Sequence, residues 1–267
     1  MTPKSKISGT REWAEVSANI STGCSHDCLY CYARFNAIKR YKIVEPGLWR
    51  QETVNSKSMT KKWGKINGRI MFPTTHDITP AILPDATTAL ENMLRAGNDI
   101  LIVSKPHLNC IWHLCKKLSN PVDYRKQITF RFTIGACDDD ILNYWEPYAP
   151  GFTERLASLA CADACGFRTS VSCEPLLDPE NVIELISTLT KYVNDSIWIG
   201  KLNHIDKRVM IETEEDKERV EALKAWQTDE KVKEIYEFFK TNPLIKWKES
   251  YKEIVGLELA TEAGLDE

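Results

Sequence analysis

The 267-residue chain lacks an apolar run approaching the roughly 20 residues that cross a bilayer, so no membrane span is expected. It lacks internal repeats and low-complexity tracts, which excludes a repeat array and a linker-like chain. It lacks a strong net charge: 35 Lys and Arg against 38 Asp and Glu leave −3, so the whole molecule is no polycation. The opening Met1-Thr-Pro-Lys-Ser-Lys6 has no apolar stretch behind it, so secretion is not expected. Nine cysteines, an odd number without a leader, argue against a disulfide framework and for a reducing cytoplasm.

A fourth cysteine is also lacking where three lie close together. Cys24, Cys28 and Cys31 fall in Gly23-Cys24-Ser25-His26-Asp27-Cys28-Leu29-Tyr30-Cys31-Tyr32, a C-x3-C-x2-C spacing with an aromatic residue before the last cysteine. Three thiolates on one tight loop can hold three corners of an iron–sulfur cube, and four would saturate it. The iron left open can bind and activate a small molecule. Zinc is the alternative, but structural zinc wants four closed ligands, usually two C-x2-C pairs. His26 is available as a fourth ligand, yet it lies between Cys24 and Cys28, where one short loop hardly wraps a tetrahedron.

What is present is an ordinary globular composition, 43% apolar and 27% charged, in a length that suits one large domain or a domain with appendages. Charge is unevenly spread. From Lys39 to Arg69 nine Lys and Arg (Lys39, Arg40, Lys42, Arg50, Lys57, Lys61, Lys62, Lys65, Arg69) face only Glu45 and Glu52, with Trp49 and Trp63 interleaved. Such a segment is either a solvated surface or a contact for phosphates. Residues 211–230 are rich in Glu and Asp instead.

Short apolar strands alternate with helix-like segments. Strands are expected near Trp13–Ile20 and at Arg69–Pro73, Asp99–Val103, Gln127–Ile134, Phe167–Ser172 and Ser196–Gly200. Helices are expected at Pro80–Ala96 with Gly97 as its stop, His107–Leu118, Thr153–Cys165 between an N-cap at Thr153 and Gly166, and Pro179–Tyr192. Alternation of this kind means a parallel sheet, and right-handed crossovers curl it toward a barrel. Six βα units predict an α/β fold, a partial (βα)6 TIM-like barrel spanning residues 1–205. A helical C-terminal extension follows over 206–267, with one charged helix through 211–240 and a short one at Lys246–Val255. Chemistry in such folds sits at the C-terminal ends of the strands, where the cysteine loop opens after the first.

At this point the residues resemble the radical S-adenosylmethionine (SAM) superfamily, whose signature is a C-x3-C-x-aromatic-C loop after a first strand. Gly23–Tyr32 matches the Gly-Cys-x-His-x-Cys-x-Tyr-Cys-Tyr form found in the branch of spore photoproduct lyase and the DNA repair photolyase-like proteins. Thr75-His76-Asp77 resembles that branch's Thr-Ser-Asp, Ser104-Lys105 its Thr-Lys, and Phe130-Arg131-Phe132-Thr133 its Arg-Phe-Ser; Glu146-Pro147 before the Arg155 helix also fits. The resemblance covers roughly residues 15–205. It implies a [4Fe-4S] cluster on Cys24, Cys28 and Cys31, with SAM on the open iron. One-electron cleavage of SAM there gives methionine and a 5′-deoxyadenosyl radical that abstracts hydrogen from a substrate. The cofactor supplies the chemistry, and the protein supplies position and exclusion of water.

By the same resemblance, Tyr30 shields the cluster and Tyr32 lies beside SAM. His76 sits near its methionyl group, Lys105 pairs with its carboxylate, Thr133 bonds its ribose, and Glu174 contacts SAM or substrate. Asp77 is expected to fix its loop through backbone hydrogen bonds. A reductant protein such as a flavodoxin or ferredoxin is implied, and nucleic acid is a candidate partner through residues 39–69. One departure limits the analogy. Spore photoproduct lyase returns a hydrogen atom from a cysteine where this chain has Thr74, and a hydroxyl is a poor donor beside a thiol. Cys137 and Cys173 are the candidate replacements at the rim. Cys161 and Cys165, four apart on one helix face, are a conceivable second metal site without further ligands nearby. The leading expectation is a photolyase-like radical SAM enzyme acting on nucleic acid or on an unidentified substrate. The alternatives are the same chemistry on a peptide or small molecule, and a non-enzymatic zinc-binding nucleic-acid module.

Overall fold

Short β-branched runs buried on both faces form the strands, and longer stretches with apolar residues three and four apart form the helices that cover them. The computed structural model describes residues 7–264; Met1–Lys6, read above for targeting, and residues 265–267 lie outside the described residues. The chain runs through β1 (Val16–Ser17), β2 (Ser21–Thr22), α1 (Tyr32–Phe35), β3 (Thr53–Val54), α2 (Ser56–Met59) and β4 (Arg69–Phe72). It continues with α3 (Leu83–Arg95), β5 (Asp99–Ser104), α4 (Leu108–Ser119), β6 (Ile128–Thr133), α5 (Asp139–Trp145), α6 (Phe152–Ala164), β7 (Arg168–Cys173), α7 (Val182–Leu189) and β8 (Ser196–Ile199). It closes with α8 (Ile205–Arg208), α9 (Glu214–Trp226), α10 (Asp229–Phe239), β9 (Ile245–Trp247) and α11 (Glu249–Val255).

Seven strands make one open parallel sheet in the order β1-β4-β5-β6-β7-β8-β9. β2 and β3 form a separate antiparallel pair, with Ser21 opposite Val54. The expected partial barrel is present, with one strand more than expected. Ile245 and Trp247 are buried and pair beside Ile197 and Ile199, so the tail adds β9 before its helix begins at Glu249. Three residues are too few for a period-2 pattern to stand out.

Helix boundaries also differ from expectation: α3 and α7 begin three residues later than expected, at Leu83 and Val182, and α7 ends at Leu189. The charged stretch through 211–240 is two helices, because the Thr228 hydroxyl accepts the Lys231 N–H at 3.4 Å and starts a new one. α6 begins before Thr153, because Asp139 of the preceding helix accepts the Phe152 N–H at 2.6 Å.

Strand alternation sorts the interior into two layers. Ile70, Phe72, Ile100, Ile102, Phe130, Phe132, Val171 and Ile197 point outward under the helices. Met71, Leu101 and Trp198 point into the lumen, where Trp13 and Ala14 of the N-terminal segment join them. Trp13 meets Trp198 edge-on with ring centroids 5.6 Å apart, and the Arg131 guanidinium lies 4.5 Å and 5.0 Å from the two rings. The N-terminal segment therefore fills the lumen, and the strand ends carry the side chains that follow.

Candidate cluster and cofactor site

The cysteine loop follows β1 and β2 at the C-terminal end of the sheet. Gly23 begins it at φ +89, and a Cβ there would lie 2.3 Å from the Gln51 carbonyl, so only glycine fits. The Cys24 N–H donates to the Trp49 carbonyl at 2.9 Å. Asp27 takes a left-handed turn at φ 45, and Arg34 holds it there, donating to Asp27 at 2.8 Å and to the Leu29 carbonyl at 2.9 Å. Cys31 caps α1, its sulfur accepting the Arg34 N–H at 3.4 Å.

Cys24 and Cys28 are buried and Cys31 is half-buried. Burial pushes all three thiols up, so ionised sulfurs there call for a cation that burial alone does not supply. Among the described residues, one set of three ligand atoms within 4.8 Å of one another includes a loop cysteine: Cys24, His26 and Asp77. The three cysteines together are not such a set. Two thiolates on one zinc lie within about 4.6 Å, twice the metal–sulfur bond. The wider spread, the three-sulfur donor set and the burial all fit a multi-iron cluster. His26 and Asp77 are already bonded directly to each other at 2.8 Å, which satisfies both without an ion.

Beneath the loop lies a buried network of charges. Asp77, in the turn after β4, accepts the Lys105 N–H at 2.7 Å and the Ser104 hydroxyl at 3.0 Å. Its other oxygen takes His26 Nδ1 and lies 3.8 Å from Lys105 Nζ. Burial opposes ionisation of Asp77, but Lys105 and His26 outweigh it and hold the carboxyl well below its usual range. Glu146 accepts the Tyr30 hydroxyl, lies 3.9 Å from Lys105 Nζ and pairs with Arg155 at 2.5 Å. Burial works against the Lys105 charge, and Asp77, Cys28, Tyr30 and Glu146 together push its pKa well above normal. Two acids and two bases thus neutralise one another out of water, which is the condition for burying charge.

The structure brings most of the sequence-predicted residues to this rim. Tyr30 is buried with Lys105 5.7 Å from its ring, and the Tyr32 hydroxyl donates to the Thr74 carbonyl. Lys105, Thr133 and Glu174 share the inward parity of Met71 and Leu101, so all three face the lumen side of their strand ends. Thr133 is tied to the network through its carbonyl, which accepts Arg155 Nη1 at 3.2 Å. Glu174 belongs to a second group: its carboxylate lies 3.4 Å from Lys248, which also pairs with Glu12 at 2.8 Å. His76 serves the backbone. Its Nε2 accepts the Ile20 and Ser21 N–H groups at 3.2 and 3.3 Å, so Nδ1 carries the proton and donates to the Asp77 carbonyl at 2.9 Å.

Other placements depart from the sequence reading. Cys173 and Cys137 pack with the outward core under the helices, so neither reaches the lumen side of the rim. The Thr74 hydroxyl accepts an Asn19 amide hydrogen at 2.8 Å, which ties it to the loop. The basic run is split. Arg50 stacks on Tyr148 at 3.4 Å near the cysteine loop, whereas Arg69 donates to the Trp13 carbonyl at 2.7 Å and Lys65 pairs with Asp99 at 3.5 Å, both at strand starts. Sequence reasoning missed His107, whose Nε2 lies 2.9 Å from His26 Nε2, and Arg208, 5.8 Å above the Tyr32 ring. Neither belongs to a spaced motif, so no local signal marks them.

No family model matches the chain, and a search of curated proteins gives no match. Solved structures do match. Spore photoproduct lyase complexed with dinucleoside spore photoproduct is 16% identical with a TM-score of 0.57, covering 92% of this chain and 79% of that one. A mutant of that lyase with bound AdoMet and the same dinucleoside is 17% identical, with a TM-score of 0.58 and the same coverage. SuiB of Streptococcus suis bound to S-adenosylmethionine is 12% identical with a TM-score of 0.52, over 90% of this chain and 52% of that one. Across the lyase structures this chain spans between 59% and 79% of their length. The open parallel sheet of this chain is therefore similar in fold to spore photoproduct lyase and to SuiB.

Proposed function

We propose that the chain is a radical SAM enzyme that holds a [4Fe-4S] cluster through Cys24, Cys28 and Cys31. The observation that carries this is the loop itself: three buried or half-buried thiols at the rim of an open parallel barrel, spread too widely for one ion. The cluster would supply an iron with an open position and the electron that cleaves SAM reductively. The chain's own residues do the rest. Tyr30, buried and bonded to Glu146, walls the cluster from water. Lys105 keeps its charge between Asp77 and Glu146, and a SAM carboxylate would replace one long contact of 3.8 or 3.9 Å with a shorter one. Tyr32, Thr133 and Glu174 face the same space and are proposed to contact SAM or substrate, while His76 fixes the chain between β1 and β4.

Anaerobic reconstitution tests the reading. The expected result is a brown protein that, once reduced, converts SAM to methionine and 5′-deoxyadenosine, and Cys24→Ala, Cys28→Ala or Cys31→Ala each abolishes this. A colourless protein holding one zinc per chain would overturn it.

For substrate we propose nucleic acid, because Lys39, Arg40, Lys42 and Arg50 follow the loop directly and the lyase of this fold was solved with a dinucleoside. A peptide or small molecule is the second reading, favoured by the departure of Lys65 and Arg69 from the rim. Deuterium appearing in 5′-deoxyadenosine from labelled candidates decides between them. A flavodoxin or ferredoxin is the proposed electron donor.

A further inference from the structure

The sequence shows Cys161 and Cys165 four apart on one helix; the fold adds a third sulfur. Cys115 on α4 meets both, and the three Sγ atoms lie within 4.8 Å of one another. α4 follows β5 and α6 follows β6, so the two helices are neighbours on the outer layer, running back from the rim. Cys115 lies in the last turns of α4, and Cys165 is the C-cap of α6. The three sulfurs therefore gather toward the strand-start end of the barrel, away from the cysteine loop.

We propose that Cys115, Cys161 and Cys165 bind a thiophilic d10 cation, Zn2+ or Cu+, at a site separate from the loop. Three thiolates around one ion with bonds of about 2.3 Å lie roughly 4 Å apart, which the observed grouping matches and the wider loop triple does not. Sulfur donors select these soft ions over Mg2+ or Ca2+. Cys115 is buried while Cys161 and Cys165 are partly exposed, so the ion has an anchor and an entry path. Among the described residues no fourth His, Cys, Asp or Glu joins the group, which leaves trigonal coordination for Cu+ or a solvent ligand for Zn2+.

The surroundings suit the charge. The C-terminal end of a helix carries partial negative charge and favours a cation. Arg125, held by Asp123 at 2.8 Å, donates to the Cys165 carbonyl at 3.4 Å and offsets the excess negative charge of three thiolates. Binding releases up to three thiol protons to solvent, so affinity should rise with pH.

The test uses the full chain under reducing, anaerobic conditions, with Cd2+ as the probe for the Zn2+ case and Cu+ in a competing chelator for the other. Cd2+ bound by thiolates gives an ultraviolet charge-transfer band. A Cys24→Ala/Cys28→Ala/Cys31→Ala variant should still take up one ion per chain with that band. Adding Cys161→Ser and Cys165→Ser should abolish it, and Cys115→Ser, tested separately, should weaken uptake at least about tenfold. Circular dichroism establishes that each variant is folded. Loss of uptake in the loop variant, or unchanged uptake after the outer serines are introduced, would overturn the proposal. Tighter retention of Cu+ than of Cd2+ against matched chelators identifies copper as the ion, and the reverse identifies zinc.

Discussion

A single lysine concentrates the chemistry of the rim. Lys105 sits between two carboxylates, with the sulfurs of the loop and the Tyr30 ring nearby. Lys105→Ala should weaken SAM binding at least about tenfold while leaving the iron content unchanged, read by equilibrium binding and by iron assay. Unchanged affinity would remove the carboxylate role. Glu146 is the structural counterpart. It is buried, as is Arg155, and Glu146→Gln leaves that guanidinium without its charge partner. The expected cost is about 3–5 kcal/mol, read as a lower denaturant midpoint. At this scale much was legible. Gly23, the three cysteines and Tyr30 belong to one spaced loop, and Lys105 and Glu146 were reached through the family resemblance. His107 and Arg208 were not, because their partners lie 81 residues away at His26 and still farther along the chain at Tyr32.

Among the elements, β9 has the largest consequence. Its following residue, Lys248, is fully buried and gathers Glu12, Glu174 and Glu249 around one charge, with Nζ 3.9 Å from the Trp13 ring. Three acids around one base cannot all ionise cheaply. Burial, helped by a hydrogen bond to Glu249 and opposed by Lys248, raises the Glu12 carboxyl from an ordinary 4.5 to about 9. The folded chain therefore holds a proton at neutral pH that the unfolded chain releases. The stability from this site is complete below the ordinary carboxyl range and declines as pH rises toward about 9. Glu12→Gln, which mimics the protonated acid, should flatten that decline in denaturation midpoints measured across the interval; an unchanged slope would place the proton elsewhere. None of this could be read from 245–247, where three residues carry no period and the pairing partner lies nearly 50 positions earlier in the chain.

At the scale of the whole molecule, residues beyond 205 do more than cover the barrel. Val232, Ile235, Phe239, Ile245, Trp247 and Tyr251 are part of the same buried cluster as the central strands. A chain ending at residue 205 should expose the edge of β8 and that apolar surface, and should fail to give a cooperative thermal transition; a soluble, cooperatively folding fragment would show the barrel to be self-sufficient. The alternation of strands and helices, the parallel sheet and the position of the three-cysteine loop at its rim followed from local patterns: burial on two faces demands apolar runs, and a loop placed after the first strand opens at the strand ends. Those the sequence determined by itself. Which side of a strand a cysteine faces, how Trp13 fills the lumen, where the basic run divides, and that Cys115 joins Cys161 and Cys165 depend on contacts between residues distant in the chain. Only the tertiary structure decided them, because no local pattern encodes which distant side chain arrives to complete a buried charge or a group of sulfurs.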